Sequence, residues 1–300
     1  MSPRARLIAG AAALAVVVGV GAIWIWQSSS APVSAEDAAI AYLRALESGD
    51  SAAVEATGIA VTPEALAAFD EAAAVIDEPA VMTVEQTATT ATADVSFTLD
   101  GETHDAELSL ALADGSWTVD ASGLGTVTAK TSPGTAVTLG AATFTASEDI
   151  ALLPAVYAAV AAPADLLDGG TDVVVLPGAQ TEISVDAVLL PEATAEVQQQ
   201  LDDHLEECTA SGEVAPEGCG IRIPWGTDFR AVMEANYRIE TLPTITLSES
   251  GFTATGGALV ATVTGTGQDG TERTLTYRTD AWSVRGDVTF SDSELVLETW

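Results

Sequence analysis

From Leu7 to Trp26 the sequence reads LIAGAAALAVVVGVGAIWIW, 20 residues without a charge. At 1.5 Å per residue a helix of this length spans about 30 Å, the thickness of a bilayer's hydrocarbon core. A segment that crosses a membrane fixes the side on which everything after it must fold. Arg4 and Arg6 precede the run and no further Lys or Arg follows until Arg44. The positive-inside bias therefore predicts a cytoplasmic tail over 1–6, a transmembrane helix over 7–26 and the bulk of the chain outside the cell membrane. Trp24 and Trp26 stand where an interfacial aromatic belt belongs. The alternative is a secretory signal cut after Ala35, at Val33-Ser34-Ala35. Its weakness is the long polar gap between Trp26 and Ala35, and signal cores run to about 7–15 residues. No Cys lies near the segment, which excludes a bacterial lipoprotein.

All 44 Asp and Glu lie beyond Trp26 with 8 of the 10 Lys and Arg, so the exported part carries −36. Holding a phosphate backbone needs the opposite sign, and nucleic acid is excluded as a partner. An apolar content of 48% is too high for an acidic disordered chain, so the carboxylates must decorate folded surfaces. Six of the bases, Arg222, Arg230, Arg238, Arg273, Arg278 and Arg285, fall in the last third, the better place for a partner bearing carboxylates or phosphates. The two cysteines, Cys208 and Cys219, are an even pair in an exported segment and read as a disulfide. They lack the C-x-x-C spacing and the second pair of a zinc site.

After a polar linker over 27–33, Ser34 and Asp37 make a capping-box pattern. Ile40, Leu43 and Leu46 then recur at helical spacing until Gly49. A second short helix fits Ser51 to Ala56. A third opens at Thr62-Pro63, with Leu66, Phe69 and Ala73 on one face. From Val81 the period changes to alternation. Val95, Phe97 and Leu99 face one way, Asp100-Gly101 marks a turn, Ala106, Leu108, Leu110 and Leu112 line the next strand, and Asp114-Gly115 leads to Trp117 and Val119. Helices followed by an antiparallel meander predict an α+β domain over 34–121. Residues 122–190 are β-rich and punctuated by Pro133-Gly134, Gly169-Gly170 and Pro177-Gly178, which fits a small β-sandwich.

Over 191–300 the first plan is expected to repeat. A helix from Pro191 to Cys208 carries Val197, Leu201, Leu205 and Cys208 as its apolar stripe. Strands follow through Tyr237 to Leu247, Leu259 to Val263, and Leu275 with Tyr277. Asp269-Gly270 and Trp282-Ser283-Val284 take the places of Asp100-Gly101 and Trp117-Thr118-Val119. The predicted fold class is α+β: an N-terminal transmembrane helix, then two helix-plus-antiparallel-sheet domains flanking a small all-β sandwich.

The anchor, the AEDAAIAYLRALESGD helix at Ala35 to Asp50 and the strand, turn and strand that end at Trp117 resemble actinobacterial single-pass membrane proteins. Those proteins carry cystatin-like or nuclear-transport-factor-2-like domains outside the membrane. LLPAVYAAVAA at Leu152 to Ala162 is similar to a strand of PEGA-type envelope β modules. The helix ending in Cys208 with Cys219 after it looks like the paired-cysteine element of that group, with Cys219-Gly220 where the group has Cys-Pro. The resemblance implies cystatin-like folds for 34–121 and 191–300 and a PEGA- or immunoglobulin-like module for 122–190.

Few residues here could do chemistry. His104 falls in the polar stretch Asp100 to Asp105 and is read as the surface of a hairpin loop. His204 lies beside an apolar stripe, four residues before Cys208, and is read as a helix-flank histidine held by Asp203 or Glu207 rather than as a general base. Asp202, Asp203, Glu206 and Glu207 place like charges four apart. They are read as a solvated acidic face, with weak divalent cation binding as the alternative. The sequence has no G-x-S-x-G, no H-E-x-x-H, no G-x-x-x-x-G-K-[ST] and no complete EF-hand loop. The expectation is therefore no catalytic, cofactor or metal residue and no enzyme. What remains is a membrane-anchored extracytoplasmic protein that binds or scaffolds an envelope protein or cell-wall component through modular domains. A small-molecule or isomerase-like pocket in a nuclear-transport-factor-2-like domain is the second reading.

Overall fold

The computed structural model describes residues 34–210, 217–291 and 294–300. The expected tail, anchor over 7–26 and linker lie outside these residues. Among the described residues, no helix is long and apolar enough to cross a membrane.

The first helix, α1 (Ala35–Ser48), starts where the capping pattern says it should. The Asp37 N–H donates to the Ser34 hydroxyl at 3.1 Å and the Ser34 N–H donates to the Asp37 carboxylate at 3.3 Å. Such a cap contributes about 1 kcal/mol. Two short helices follow, α2 (Ser51–Glu55) capped by Asp50 and α3 (Pro63–Asp70) capped by Thr62. The chain then turns into the strands β1 (Asp77–Gln86), β2 (Thr90–Leu99), β3 (Glu102–Ala113) and β4 (Ser116–Val119), an antiparallel meander in sequence order. Asp100 and Gly101 take φ of 54° and 78°, the two left-handed residues that a tight hairpin between right-twisted strands requires. Alternation in β2 buries Ala91, Ala93, Val95, Phe97 and Leu99, and α1 packs Tyr42, Leu43 and Leu46 against this sheet.

Nine strands follow: β5 (Gly125–Ser132), β6 (Ala136–Leu139), β7 (Ala142–Thr145), β8 (Asp149–Leu152), β9 (Ala155–Ala162), β10 (Leu167–Asp168), β11 (Gly170–Val175), β12 (Gln180–Asp186) and β13 (Val188–Leu189). They build a four-stranded sheet, β11-β9-β6-β7, and a three-stranded sheet, β12-β5-β8, in which β12 runs parallel to β5; β10 pairs with β13. One cluster of buried side chains runs from Ala35 through Ala187. It is continuous because α3 lies on β7, β8 and β9, and because the Ala73 N–H donates to the Val156 carbonyl at 2.8 Å.

The last part opens with α4 (Pro191–Ala210), whose Val197, Leu201, Leu205 and Cys208 form the expected buried stripe, joined by Ala193. It packs on a curled sheet of β14 (Phe229–Thr241), β15 (Thr244–Leu247), β16 (Gly251–Gly267), β17 (Glu272–Phe290) and β18 (Leu295–Thr299), in the order β14-β16-β17-β18 with β15 also on β16. Gln198 fastens helix to sheet: its amide oxygen accepts from the Ile245 N–H at 2.9 Å and its amide nitrogen donates to the Pro243 carbonyl at 3.2 Å. The buried side chains divide between a cluster under α4 and a smaller one around Phe229, Ala235, Ala261 and Val263.

The α+β expectation, with two cystatin-like domains around a sandwich, is corrected. The described residues are mostly β, with 54% strand against 20% helix. The error is sharpest in the last third, where the expected repeat does not exist. Tyr277 and Trp282, read as belonging to separate strands, lie on one strand of 19 residues, β17, which runs on through an irregularity: Asp280 and Ala281 are both exposed, and the inward-facing parity changes from Tyr277 and Thr279 to Trp282 and Val284. Register shifts between β16 and β17, from Ala254 to Leu259, bend the sheet there. At the hairpin tip the chain also departs from Asp100-Gly101. Gly270 alone has a left-handed φ there, and the Gly267 N–H donates to the Thr271 carbonyl across a three-residue loop.

A disulfide-pinned groove as candidate functional site

Along β17, Trp282, Val284 and Val288 face the core under α4, while Ala281, Ser283 and Arg285 face outward. The Trp282 indole N–H donates to the Cys219 carbonyl at 2.9 Å, which holds the segment after Cys219 against β17. Gly220 makes this approach possible. Its φ is 61°, and a Cβ there would collide with the carbonyl of Ser283. From there, Ile221 to Pro224 run on as one wall of a groove of about 480 Å³. Thr253 to Thr255 of β16 and Ala281 to Arg285 of β17 line the rest, with Trp300 and Arg278.

The groove's electrostatics oppose those of the molecule. In a chain with 44 Asp and Glu, not one of the residues lining the groove is acidic, whereas Arg222, Arg278 and Arg285 all line it. Arg278 is already paired: its guanidinium donates to Glu240 at 2.9 Å and to Asp280 at 2.6 Å, and this raises its pKa further. Arg285 instead lies over the Trp300 ring, 4.4 Å from the centroid, in a cation–π contact. Among the described residues, neither Arg222 nor Arg285 has an ion pair. The Trp300 N–H donates to the Arg285 carbonyl at 3.2 Å, and the ring stays 60% exposed. Beneath the groove's far end, burial and a hydrogen bond to Asp228 push the Tyr277 phenol up to about 12.

The wall at Ile221 to Pro224 is pinned at its root. Cys208 at the end of α4 and Cys219 are disulfide-bonded as expected, with Cα atoms 6.0 Å apart. Such a bond belongs to an oxidising compartment and points to an extracytoplasmic domain. His204 sits against the bridge. Its Nε2 lies 3.1 Å from the Thr299 hydroxyl, 3.3 Å from the Gly218 carbonyl and 3.6 Å from the Cys208 sulfur. The expected partners Asp203 and Glu207 do not hold it; the strand and loop packed on the helix do. His204, Cys208 and Cys219 are, among the described residues, the one grouping of possible metal ligands within 4.8 Å of one another, and its two sulfurs are joined to each other. Of the four helix acids, Asp202 accepts from the Gln198 amide at 2.7 Å.

His104 is not in a loop. It lies on β3 opposite Phe97, half-buried, with the two ring centroids 5.9 Å apart. Behind α1, where a helix-against-sheet pocket was a possibility, the space is filled by Tyr42, Leu46, Phe69 and Phe97, and the Tyr42 hydroxyl donates to the Gly123 carbonyl at 2.7 Å. A smaller hollow of about 180 Å³ lies at the surface between α1 and β1. The groove itself escaped the sequence because its walls come from four separate stretches of chain. The one signal that pointed toward it was the gathering of arginine after residue 221. No protein family, no curated protein and no solved structure matches the chain.

Proposed function

We propose that the chain is a non-enzymatic, single-pass membrane protein that holds its folded part outside the cell membrane and binds an envelope component there. The Cys208–Cys219 disulfide carries this reading. It is a bond suited to the outside of the cell, and it fastens the wall of a groove whose charge is opposite to that of the rest of the surface. The uncharged run at Leu7 to Trp26, with Arg4 and Arg6 before it, supports the anchor and its orientation. A groove of about 480 Å³ is within the size range of small-ligand sites, about 300–1,000 Å³, which favours a compact ligand or the end group of a larger one.

Fractionation of cells expressing the full chain tests the reading. The protein should stay with membranes through alkaline carbonate extraction, and a protease added to intact cells should degrade it. A protein that washes off the membrane, or one that survives the protease until the cells are lysed, would refute it.

A further inference from the structure

We infer that the groove binds an acidic saccharide, a sugar ring bearing a carboxylate or phosphate group. This rests on the reading of the chain as an extracytoplasmic binding protein and names the ligand class. Of the six arginines after residue 221, Arg238, Arg273 and Arg278 are paired with carboxylates. Of the three that have no ion pair among the described residues, two, Arg222 and Arg285, line this groove. A guanidinium presents its donors in a planar fork that fits the paired oxygens of a carboxylate or phosphate. On a surface this acidic, a free oxyanion is repelled nearly everywhere else, so the groove is the place where one can settle.

The saccharide follows from what stands beside the arginines. Trp300 offers a broad aromatic surface, against which the C–H face of a sugar ring can lie. Thr253, Thr255, Thr279 and Ser283 belong to the same lining, and hydroxyls of this kind can both donate to and accept from sugar hydroxyls. A flat apolar ring, hydroxyl side chains and two unpaired guanidinium groups match an acidic sugar group by group. An acidic peptide would leave the hydroxyls and the ring without a role. The ring and Arg285 already stack on one another, so both are held in place before a ligand arrives.

Calorimetric titration of the full chain in a non-ionic, sugar-free detergent tests this with four probes: a galacturonate trimer, glucose 6-phosphate, the neutral maltotriose and hexaglutamate. At least one of the two acidic sugars should bind, with maltotriose and hexaglutamate weaker by about tenfold or more. Arg222→Ala and Arg285→Ala should each weaken that binding about tenfold, and Arg222→Lys should recover only part of the loss. Trp300→Ala should weaken it as well. Arg230 is an exposed arginine outside the groove, so Arg230→Ala, with the same change of net charge, should leave binding unchanged. All these side chains are exposed, so the variants keep the core intact. No binding of either acidic sugar overturns the inference. So does hexaglutamate binding as tightly as the sugars, or an equal loss in Arg230→Ala. If the chain is exported but ignores acidic sugars, only this inference falls. If it binds them but is not exported, the envelope reading falls and the groove assignment stands.

Discussion

Tyr42 is fully buried, and its hydroxyl has one partner, the Gly123 carbonyl. Tyr42→Phe keeps the ring and strands that buried acceptor, so it should lower stability by about 1–2 kcal/mol in denaturant unfolding. The same burial raises the phenol's pKa, and it does so for Tyr157 as well. Tyr237 is raised by burial and Tyr277 by burial and Asp228, so all four tyrosines are shifted the same way. The folded state favours the protonated phenol. Its contribution is complete below the unfolded value of about 10 and is lost as the pH rises past it toward the folded values. An absorbance titration should therefore show less phenolate at the ordinary pH of about 10 than free tyrosine would give while the protein is folded, then a steep cooperative rise as it unfolds. A gradual normal titration would contradict the packing described for these rings.

At the level of elements, α4, β17 and the segment between Cys219 and Pro224 act together. The disulfide closes a short loop, its cysteines 11 positions apart in sequence, and by the chain-entropy argument contributes about 3 kcal/mol. Cys208→Ser with Cys219→Ser should lower the unfolding free energy by about that much and raise the fluorescence response of Trp300 to quenchers, since its neighbouring wall is released. Stability unchanged within error would mean that the hydrogen bond from Trp282 to Cys219 holds the segment unaided. The helices were legible in the sequence because each carries its own signal: Ser34 with Asp37, Thr62 with Pro63, and the stripe from Val197 to Cys208. The Asp100-Gly101 hairpin was legible for the same reason. The long strands were not. Alternation says that Leu275, Tyr277, Trp282 and Val284 belong to strands, but it does not say that one strand carries all four. The lesson of β16 is similar, since its bend lies in a register shift that depends on the partner strand. A groove assembled from Arg222, Arg278, Arg285 and Trp300 depends on that same long-range pairing, so its residues could be flagged as a cluster of charge but not as a site.

Taken whole, the molecule is strongly acidic, and the described residues form a groove lined by arginines. Forty-four acids against eight bases beyond Trp26 repel one another, and added salt or divalent cations should relieve that repulsion. A stabilisation of about 1 kcal/mol would appear as a rise of roughly 2–4 °C in melting temperature, and no change would mean that the charges are already well spaced. Salt should act in the opposite sense on the groove, weakening its hold on an anion by screening Arg222 and Arg285. The central claim is that the molecule works outside the cell membrane, and the state of its two cysteines in the living cell tests that most directly. Cells expressing the full chain are quenched in acid, and the protein is denatured and treated with a maleimide that adds visible mass to each free thiol. The account predicts no added mass unless a reductant is applied first, and two additions once it is. Two additions without reductant would mean that Cys208 and Cys219 are kept as thiols, and would contradict it.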